Sequence, residues 1–166
     1  MANTKHAVVR TDRLSGTIDG SKLISAKFYN NSDPAEIENG NIVAITNTLI
    51  DREVFKVTAP TAADTIKTIG LVASVEVIND YPLSRYPLTE FTNVANKPIR
   101  VYRLETGDVF SVTAEALNGE ASKGKFVEIN ASSTKLKVAA SGTNAIGEIV
   151  DVETVKGLKY FVIVVK

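Results

Sequence analysis

Cysteine and tryptophan are absent from the 166-residue sequence, and histidine and methionine each occur once. The lack of cysteine excludes disulfides and thiolate metal sites, so packing and hydrogen bonding must stabilise the fold. His6 is the only histidine, which excludes a multi-histidine metal site and a histidine-based catalytic triad. We expect His6 to be a solvated residue of a terminal segment.

Charge of one sign and long apolar runs are lacking too. The 19 basic and 19 acidic side chains leave no net charge, which argues against a general polyanion binder, so we expect no nucleic-acid partner. No apolar run approaches the length of a membrane span, and the N-terminal residues lack the apolar core of a secretory signal. We therefore expect no membrane partner and synthesis in a reducing cytoplasm.

Signatures of catalysis and cofactor binding are also missing. The sequence contains no dinucleotide fingerprint, phosphate loop, nucleophile elbow or cysteine-rich metal pattern. Three acids, Asp33, Glu36 and Glu38, could in principle perform acid–base chemistry or bind a hard cation, but acids that flank turns are usually solvated. We expect no enzymatic activity, no cofactor, no metal and no small-molecule substrate.

The sequence does contain a repeated strand pattern. Apolar residues make up 44% of the chain, which is an ordinary share for a globular protein. They alternate with polar residues in short runs that are rich in β-branched side chains. Ten such runs predict strands: 22–29, 41–46, 53–59, 71–78, 99–104, 109–113, 126–130, 135–140, 147–154 and 158–165.

Two motifs recur along the chain. "ENGNIVAIT" (38–46), "ETGDVFSVT" (105–113) and "SKGKFVEIN" (122–130) each place a glycine before an alternating run, which is typical of a turn that leads into a strand. "IGLVASVEVI" and "IGEIVDVETV", which contain Gly70 and Gly147, form a second matching pair. The repetition predicts two small β units with similar strand order.

The sequence thus predicts an all-β fold. We expect two small antiparallel β-barrel or sandwich units with an extended N-terminal arm and an irregular connecting loop. The predicted domains are an N-terminal arm (1–20), a first β unit (21–78), a linker or loop (79–97) and a second β unit (98–166).

Local patterns add finer expectations. Val150 and Val152 should share the buried face of their strand, because alternation places them opposite acidic residues. Residues 160–165 are apolar on both faces, which favours a central strand over an exposed strand that docks a subunit. Short helices are expected at 60–68 and 114–117.

Two segments offer groups for a partner. The N-terminal segment carries more basic than acidic residues around a short apolar run, and the connecting loop repeats a Tyr-Pro-Leu tripeptide. Rigid aromatic and aliphatic groups make good interface anchors; the alternatives are a frayed terminus and a loop that packs on its own domain. The candidate partner-binding residues are Lys5, Val8, Val9, Arg10, Arg13, Tyr81, Leu83, Arg85, Tyr86, Leu88 and Phe91.

Several of these stretches resemble known proteins. "IENGNIVAI", "TIGLVASVEVI" and "YRLETGDVFSVTAEAL" resemble a family of virion structural proteins encoded in phages and prophages of Gram-positive bacteria. "ASKGKFVEINASSTKLKVAASGTNAIGEIVDVE" also resembles the small β-barrel head-decoration proteins of tailed phages, in which a Gly-led strand, a variable hairpin and an "IGxxxxV" strand recur. Together the resemblances cover most of residues 7–166.

The resemblance implies a non-enzymatic capsid decoration or cement protein. Such a protein binds the major capsid protein of the assembled head in many copies and stabilises the shell, and self-association into a homo-oligomer is a second expected contact. The implied location is the head surface of the virion, after synthesis in the host bacterial cytoplasm. The alternatives are a tail or neck structural protein, and a small β-barrel module that binds carbohydrate or peptide on the host surface.

Overall fold

The computed structural model describes residues 5–77 and 87–166. Within these residues the fold is all-β, as predicted, and the strands form two sheets. The helical turns of this part of the chain are 3₁₀ segments at Ser15–Thr17, Gly20–Lys22, Leu88–Glu90 and Ala114–Ala116. The last of these takes the place of the helix expected at 114–117.

The described residues contain thirteen strands, which are numbered in chain order. Their bounds are β1 Val9–Arg13, β2 Leu23–Asn30, β3 Asp33–Pro34, β4 Ile42–Asp51, β5 Val54–Thr58, β6 Ile69–Val72, β7 Ile99–Arg103, β8 Val109–Val112, β9 Leu117–Asn118, β10 Phe126–Glu128, β11 Leu136–Ala139, β12 Ala145–Val155 and β13 Leu158–Val165. Each of the ten predicted strands overlaps one of these. The sequence did not predict β1, β3 and β9, since β3 and β9 are only two residues long and β1 is mostly charged.

Five strands close into a small barrel. They pair in the order β2-β5-β4-β6-β7, and β7 pairs again with β2, which completes the ring. The interior is filled by apolar side chains, as expected for a small barrel. They include Ala26, Val43, Val57, Val72 and Val101.

The other large element is a seven-stranded sheet with the order β1-β8-β13-β12-β10-β11-β9. β13 lies between β8 and β12, which confirms the predicted central strand. Its residues Phe161, Ile163 and Val165 are buried, whereas Val162 and Val164 on the opposite face are partly exposed. The pairings β2–β5 and β9–β11 are parallel, and the other pairings between named strands are antiparallel.

The barrel packs its outer face on the large sheet. The larger hydrophobic core joins Ile69 and Leu71 of the barrel to Phe110 and Ile163 of the sheet. Val72 belongs instead to the smaller core inside the barrel. Strand β6, buried at every position, therefore contributes to both cores.

The two sheets do not follow the predicted domain boundaries. β1 comes from the predicted arm, yet it pairs with β8 of the large sheet. β7 comes from the predicted second unit, yet it pairs with β2 and β6 in the barrel. Strand pairing joins segments that are distant in sequence, so local composition does not reveal these partners. The chain begins in the large sheet, builds the barrel and then returns to the sheet.

The recurring glycine motif is a turn before a strand, as predicted. Gly40, Gly107 and Gly124 have φ angles of +85°, +96° and +85°, a conformation that costs glycine little and other residues more. Each of these glycines lies two residues before a strand, namely β4, β8 and β10. The motif therefore has the same structural use in the barrel and in the large sheet.

The helix predicted at 60–68 is wrong, because the segment consists of turns. Local side chains bind the backbone N–H groups instead. Asp64 Oδ2 accepts from the N–H and the hydroxyl of Thr61 (2.7 and 2.8 Å), and Thr68 Oγ1 accepts from the N–H of Thr65 (3.0 Å). Side chains that bond the nearby backbone in this way compete with helix formation.

The expected burial of Val150 is also wrong. The register between β12 and β13 shifts between Ile149 and Asp151, so an extra residue is accommodated there as a β-bulge. Ile149 is fully buried, Val150 is 37% exposed and Val152 packs against the core again. A bulge moves the alternation by one position, which the sequence pattern does not indicate.

The turn between β12 and β13 gives a first prediction. Lys156 and Gly157 both have positive φ, 47° and 80°, which is the type I′ hairpin geometry that favours asparagine followed by glycine. We expect Lys156→Asn to raise the free energy of unfolding by about 0.5 kcal/mol, because asparagine tolerates this conformation better than lysine. Chemical denaturation of both proteins measures the change.

The matched control is Lys159→Asn in the same hairpin. Lys159 lies in β13, where asparagine has low strand propensity, and its Nζ is 5.4 Å from the ring centroid of Phe161. This variant should be no more stable than the parent. An equal gain in both variants would contradict the turn argument.

Candidate functional site

The docking residues predicted in the N-terminal segment differ in accessibility. Lys5 and Arg13 are exposed, whereas Val9 and Arg10 are half-buried. Val8 is only 2% exposed, so its side chain has almost no surface left for a partner.

Arg10 binds other parts of the same chain. Its Nη2 donates to Glu153 Oε2 (2.6 Å) and its Nε donates to Asp12 Oδ1 (2.8 Å). The hydrogen bond with Glu153, followed by that with Asp12, raises the pKa of Arg10. The guanidinium also lies 5.1 Å from the ring centroid of Tyr160, whose pKa is raised by burial. Arg10 therefore ties the edge strand β1 to the β12–β13 hairpin.

The docking residues predicted in the connecting loop fall largely outside the described part of the chain. Tyr81, Leu83, Arg85 and Tyr86 lie there and stay predictions. Leu88 is 47% exposed, and Phe91 is half-buried.

A buried asparagine joins the two chain segments that flank this loop. Asn39 Nδ2 donates to the carbonyl oxygen of Ser74 (2.9 Å), and Asn39 Oδ1 accepts from the N–H of Ser74 (3.0 Å) and from Asn93 Nδ2 (3.0 Å). Asn93 Nδ2 also donates to the carbonyl oxygen of Ile37 (3.0 Å). Asn39 and Asn93 are 1% and 6% exposed, so these hydrogen bonds form in a low-dielectric environment that strengthens them.

Exposed apolar side chains lie next in sequence to the residues that Asn39 binds. Val75 and Val94, the residues after Ser74 and Asn93, are 59% and 57% exposed. Val77 and Leu88 are 56% and 47% exposed. We call Val75, Val77, Leu88 and Val94 the apolar rim. Asn39 Oδ1 binds both Ser74 and Asn93, so the chain segments that carry Val75 and Val94 leave the same buried junction.

The N-terminal segment is bound beside the apolar rim. The N–H of His6 donates to the carbonyl oxygen of Thr89 (2.7 Å), and His6 Nδ1 donates to Glu38 Oε1 (2.8 Å). Glu38 Oε2 accepts from the N–H of Ala7 (3.0 Å). The expectation that His6 and Glu38 are simply solvated is therefore wrong: a charge-assisted hydrogen bond anchors the segment.

The three acids that the sequence analysis considered for a metal site do not share one environment in the fold. Asp33 and Glu36 are exposed, as expected for acids near turns. Residues 5–77 and 87–166 contain no group of three or more histidine, cysteine or acidic side chains that could hold a metal ion.

An open cavity of about 550 Å³ lies between the 61–66 turn and the ends of β10 and β12. Burial opposes ionisation of Asp64 on its wall, but hydrogen bonds from Thr61 and Thr68 outweigh this and lower the pKa of Asp64. Glu128 Oε2 lies 3.7 Å from Lys137 Nζ. Asp64 and Glu128, the carboxylates of this cavity, thus both interact with other side chains of the chain.

The sequence predicted docking residues in the N-terminal segment and the connecting loop but not the buried asparagines that join the segments beside this loop. The sequence pattern did not single out Asn39 or Asn93, because burial of a polar side chain depends on partners that are distant in sequence. Val75 and Val77 were assigned to a strand, whereas β6 ends at Val72.

No helix in the described part of the chain is long and apolar enough to cross a membrane. A scan against models of protein families, a search of curated proteins and a search of solved structures each found no match to the chain.

Proposed function

We propose that the protein is a non-enzymatic decoration or cement protein of a tailed-phage head. In this role it binds the major capsid protein on the outside of the assembled shell, in many copies, and stabilises the shell. The resemblance of the glycine-led strands to head-decoration and other virion structural proteins supports this proposal. The all-β fold agrees with it.

The observation that carries the proposal is the apolar rim. Single exposed apolar residues are common on protein surfaces, but a group of them on one surface often marks an interaction site. Val75, Val77 and Val94 are each more than half exposed, and they flank the loop whose Tyr-Pro-Leu repeats suit an interface. A partner that covers the rim removes this apolar surface from water.

Hydrogen bonds also fix the backbone segments that carry the apolar rim. The hydrogen bonds of Asn39 fix Ser74 and Asn93, and the His6–Glu38 pair fixes the N-terminal segment next to them. A surface that is ordered before binding loses less conformational entropy on binding. When many copies bind one shell, their modest individual affinities together stabilise the shell strongly.

Co-sedimentation with capsids tests the proposal. Shells are prepared from a particle that lacks the protein, mixed with the purified chain and then heated with and without it. We expect saturable binding and a higher melting temperature of the decorated shell. Recovery of the protein with tails instead of heads would favour the tail or neck alternative, and absence from purified virions would overturn both structural roles.

A paired substitution tests the rim itself. Val75→Asp combined with Val94→Asp places two charges on the apolar surface without disturbing buried residues. Burying an unpaired carboxylate at an interface is costly, so we expect at least a tenfold weaker binding to the shell, measured by the same co-sedimentation assay.

Ile18→Asp is the control for this pair. Ile18 is 87% exposed and lines a surface recess with Asp108, which lies just before β8 begins. His6 and the apolar rim lie beyond the opposite, C-terminal end of β8. The control should bind like the parent. Equal loss in both variants, or full binding by the rim variant, would show that the rim does not contact the shell.

A further inference from the structure

A second open cavity, of about 470 Å³, is unusually basic for a chain without net charge. Its lining includes Lys22, Lys67 and Arg103, and Glu105 is its only carboxylate among the described residues. We call it the cationic groove. Nothing in the decoration role accounts for it.

The barrel brings these three cations together from separate parts of the chain. Arg103 ends β7 and pairs with Gly70 of β6, and Lys67 lies two residues before β6 begins at Ile69. Lys22 immediately precedes β2, whose first residue pairs with Tyr102 of β7. Because β7 lies between β6 and β2, the three side chains meet at one end of the barrel.

The positive charge of the groove is only partly compensated. Lys22 Nζ forms an ion pair with Glu105 Oε1. Among the residues that the structure describes, the side chains of Lys67 and Arg103 make no hydrogen bond or ion pair, whereas those of Arg10, Lys137 and Lys166 pair with acidic side chains. Like charges held in one cavity repel each other, so a bound anion would lower the electrostatic energy of the site.

The walls of the groove strengthen this attraction. Leu104 is 4% exposed and belongs to the larger core, and Ile66 packs against the same core. An apolar floor reduces the effective dielectric constant, so a charge beside it interacts more strongly than it would in bulk water. The guanidinium of Arg103 adds a planar donor pair that matches the geometry of a carboxylate or phosphate.

We propose that the cationic groove binds an oxyanion, a carboxylate or phosphate group, between Lys67 and Arg103. Lys22 is the third cation of the site, and its pairing with Glu105 limits the affinity. The inference does not depend on the decoration role, because it rests on the charges and shape of the groove alone.

The test uses the full-length, ¹⁵N-labelled protein in a phosphate-free buffer of low ionic strength at neutral pH. Inorganic phosphate and a hexaglutamate peptide are titrated separately, with sodium chloride at equal ionic strength as the reference. We expect saturable amide shifts at Lys22, Lys67 and residues 103–106, with an apparent Kd in the millimolar range. Saturation by phosphate alone would assign the site to a free anion, saturation by the peptide alone would assign it to an acidic segment, and either result supports the site.

Three variants separate a specific site from general attraction. The pair Lys67→Gln and Arg103→Gln should weaken binding at least tenfold, since hydrogen bonds to charged groups are lost. Glu105→Gln should tighten it several-fold, because Lys22 is released. The matched control pair is Lys97→Gln and Arg100→Gln, which removes the same charges from exposed positions, Arg100 being on the same strand.

The proposal fails if neither probe shifts the groove residues beyond the chloride reference. It also fails if the control pair weakens binding as much as the groove pair, because the effect would then follow net charge and not position. All variants keep their backbone partners, so circular dichroism spectra like that of the parent should accompany the binding data.

Discussion

Replacing Gly70 by alanine is expected to lower the free energy of unfolding by about 2–3 kcal/mol, the range typical of an overpacked core. A Cβ at this position would lie 2.4 Å from Val101 Cγ1, 3.0 Å from the carbonyl oxygen of Tyr102 and 3.1 Å from Ile45 Cδ1. Val101 is fully buried and β-branched, so its side chain has little freedom to turn away. The backbone of the neighbouring strand β7 cannot move without opening the barrel.

Urea denaturation of the parent and of Gly70→Ala measures this loss. The control is Gly20→Ala, because a Cβ on Gly20 would meet no atom within 4 Å and its φ is not positive. That variant should be as stable as the parent or slightly more so, since alanine has fewer unfolded conformations. If both variants denature at the same urea concentration, the barrel interior is not as tightly filled as the distances indicate.

The second large effect is expected at Asp108, which is 3% exposed. Its Oδ1 accepts from the N–H (2.8 Å) and the hydroxyl (2.6 Å) of Ser15, and its Oδ2 accepts from the N–H of Glu105 (2.9 Å). Asp108→Ala removes the carboxylate, so these N–H and hydroxyl donors lose their hydrogen-bond acceptor in a largely buried environment. We expect a loss of about 3 kcal/mol and a Tm lower by roughly 6–12 °C for a chain of this size.

Asp108→Asn and Asp151→Ala complete the thermal melting series. The amide of Asp108→Asn keeps the shape and one acceptor oxygen, so its Tm should fall between those of the parent and the alanine variant. Asp151 is exposed and forms an ion pair with Lys123 at 3.3 Å on the surface. Exposed ion pairs contribute little to the free energy of unfolding. A melting temperature for Asp108→Ala equal to that of Asp151→Ala would refute the structural role of the buried carboxylate.

The strands of this fold could be predicted from sequence because their signal is local. Alternation of apolar residues and the glycine turns at Gly40, Gly107 and Gly124 depend on neighbouring residues only. The ring closure by β2 and β7, and the parallel pairing of β2 with β5, depend on contacts between distant segments, for which the chain carries no local pattern. The same reason explains the failure at β1, whose partner strand β8 compensates for its polar composition.

For the candidate sites, too, features that depend on local sequence were easier to predict than features that depend on distant contacts. Leu88, which stays a predicted docking residue, is exposed. Val8 was predicted alongside it, but its burial follows from β-pairing that the terminal sequence does not reveal. The cationic groove was not predicted at all, because Lys22, Lys67 and Arg103 are unremarkable in sequence and meet only through the barrel. Charge counted over the whole chain hides such a local excess.

The return of the chain to its first sheet sets the order in which the protein can be completed during synthesis. The N–H of Val8 donates to the hydroxyl of Thr113, 105 residues later, and β1 reaches its partner β8 only after the whole barrel has been made. Before that point in synthesis the barrel can close, but the large sheet that covers its outer apolar face has not yet formed. That apolar face is therefore exposed to solvent in the nascent chain. Pairing over such distances slows folding, so the nascent barrel, and not the finished molecule, is the stage at which aggregation is most dangerous.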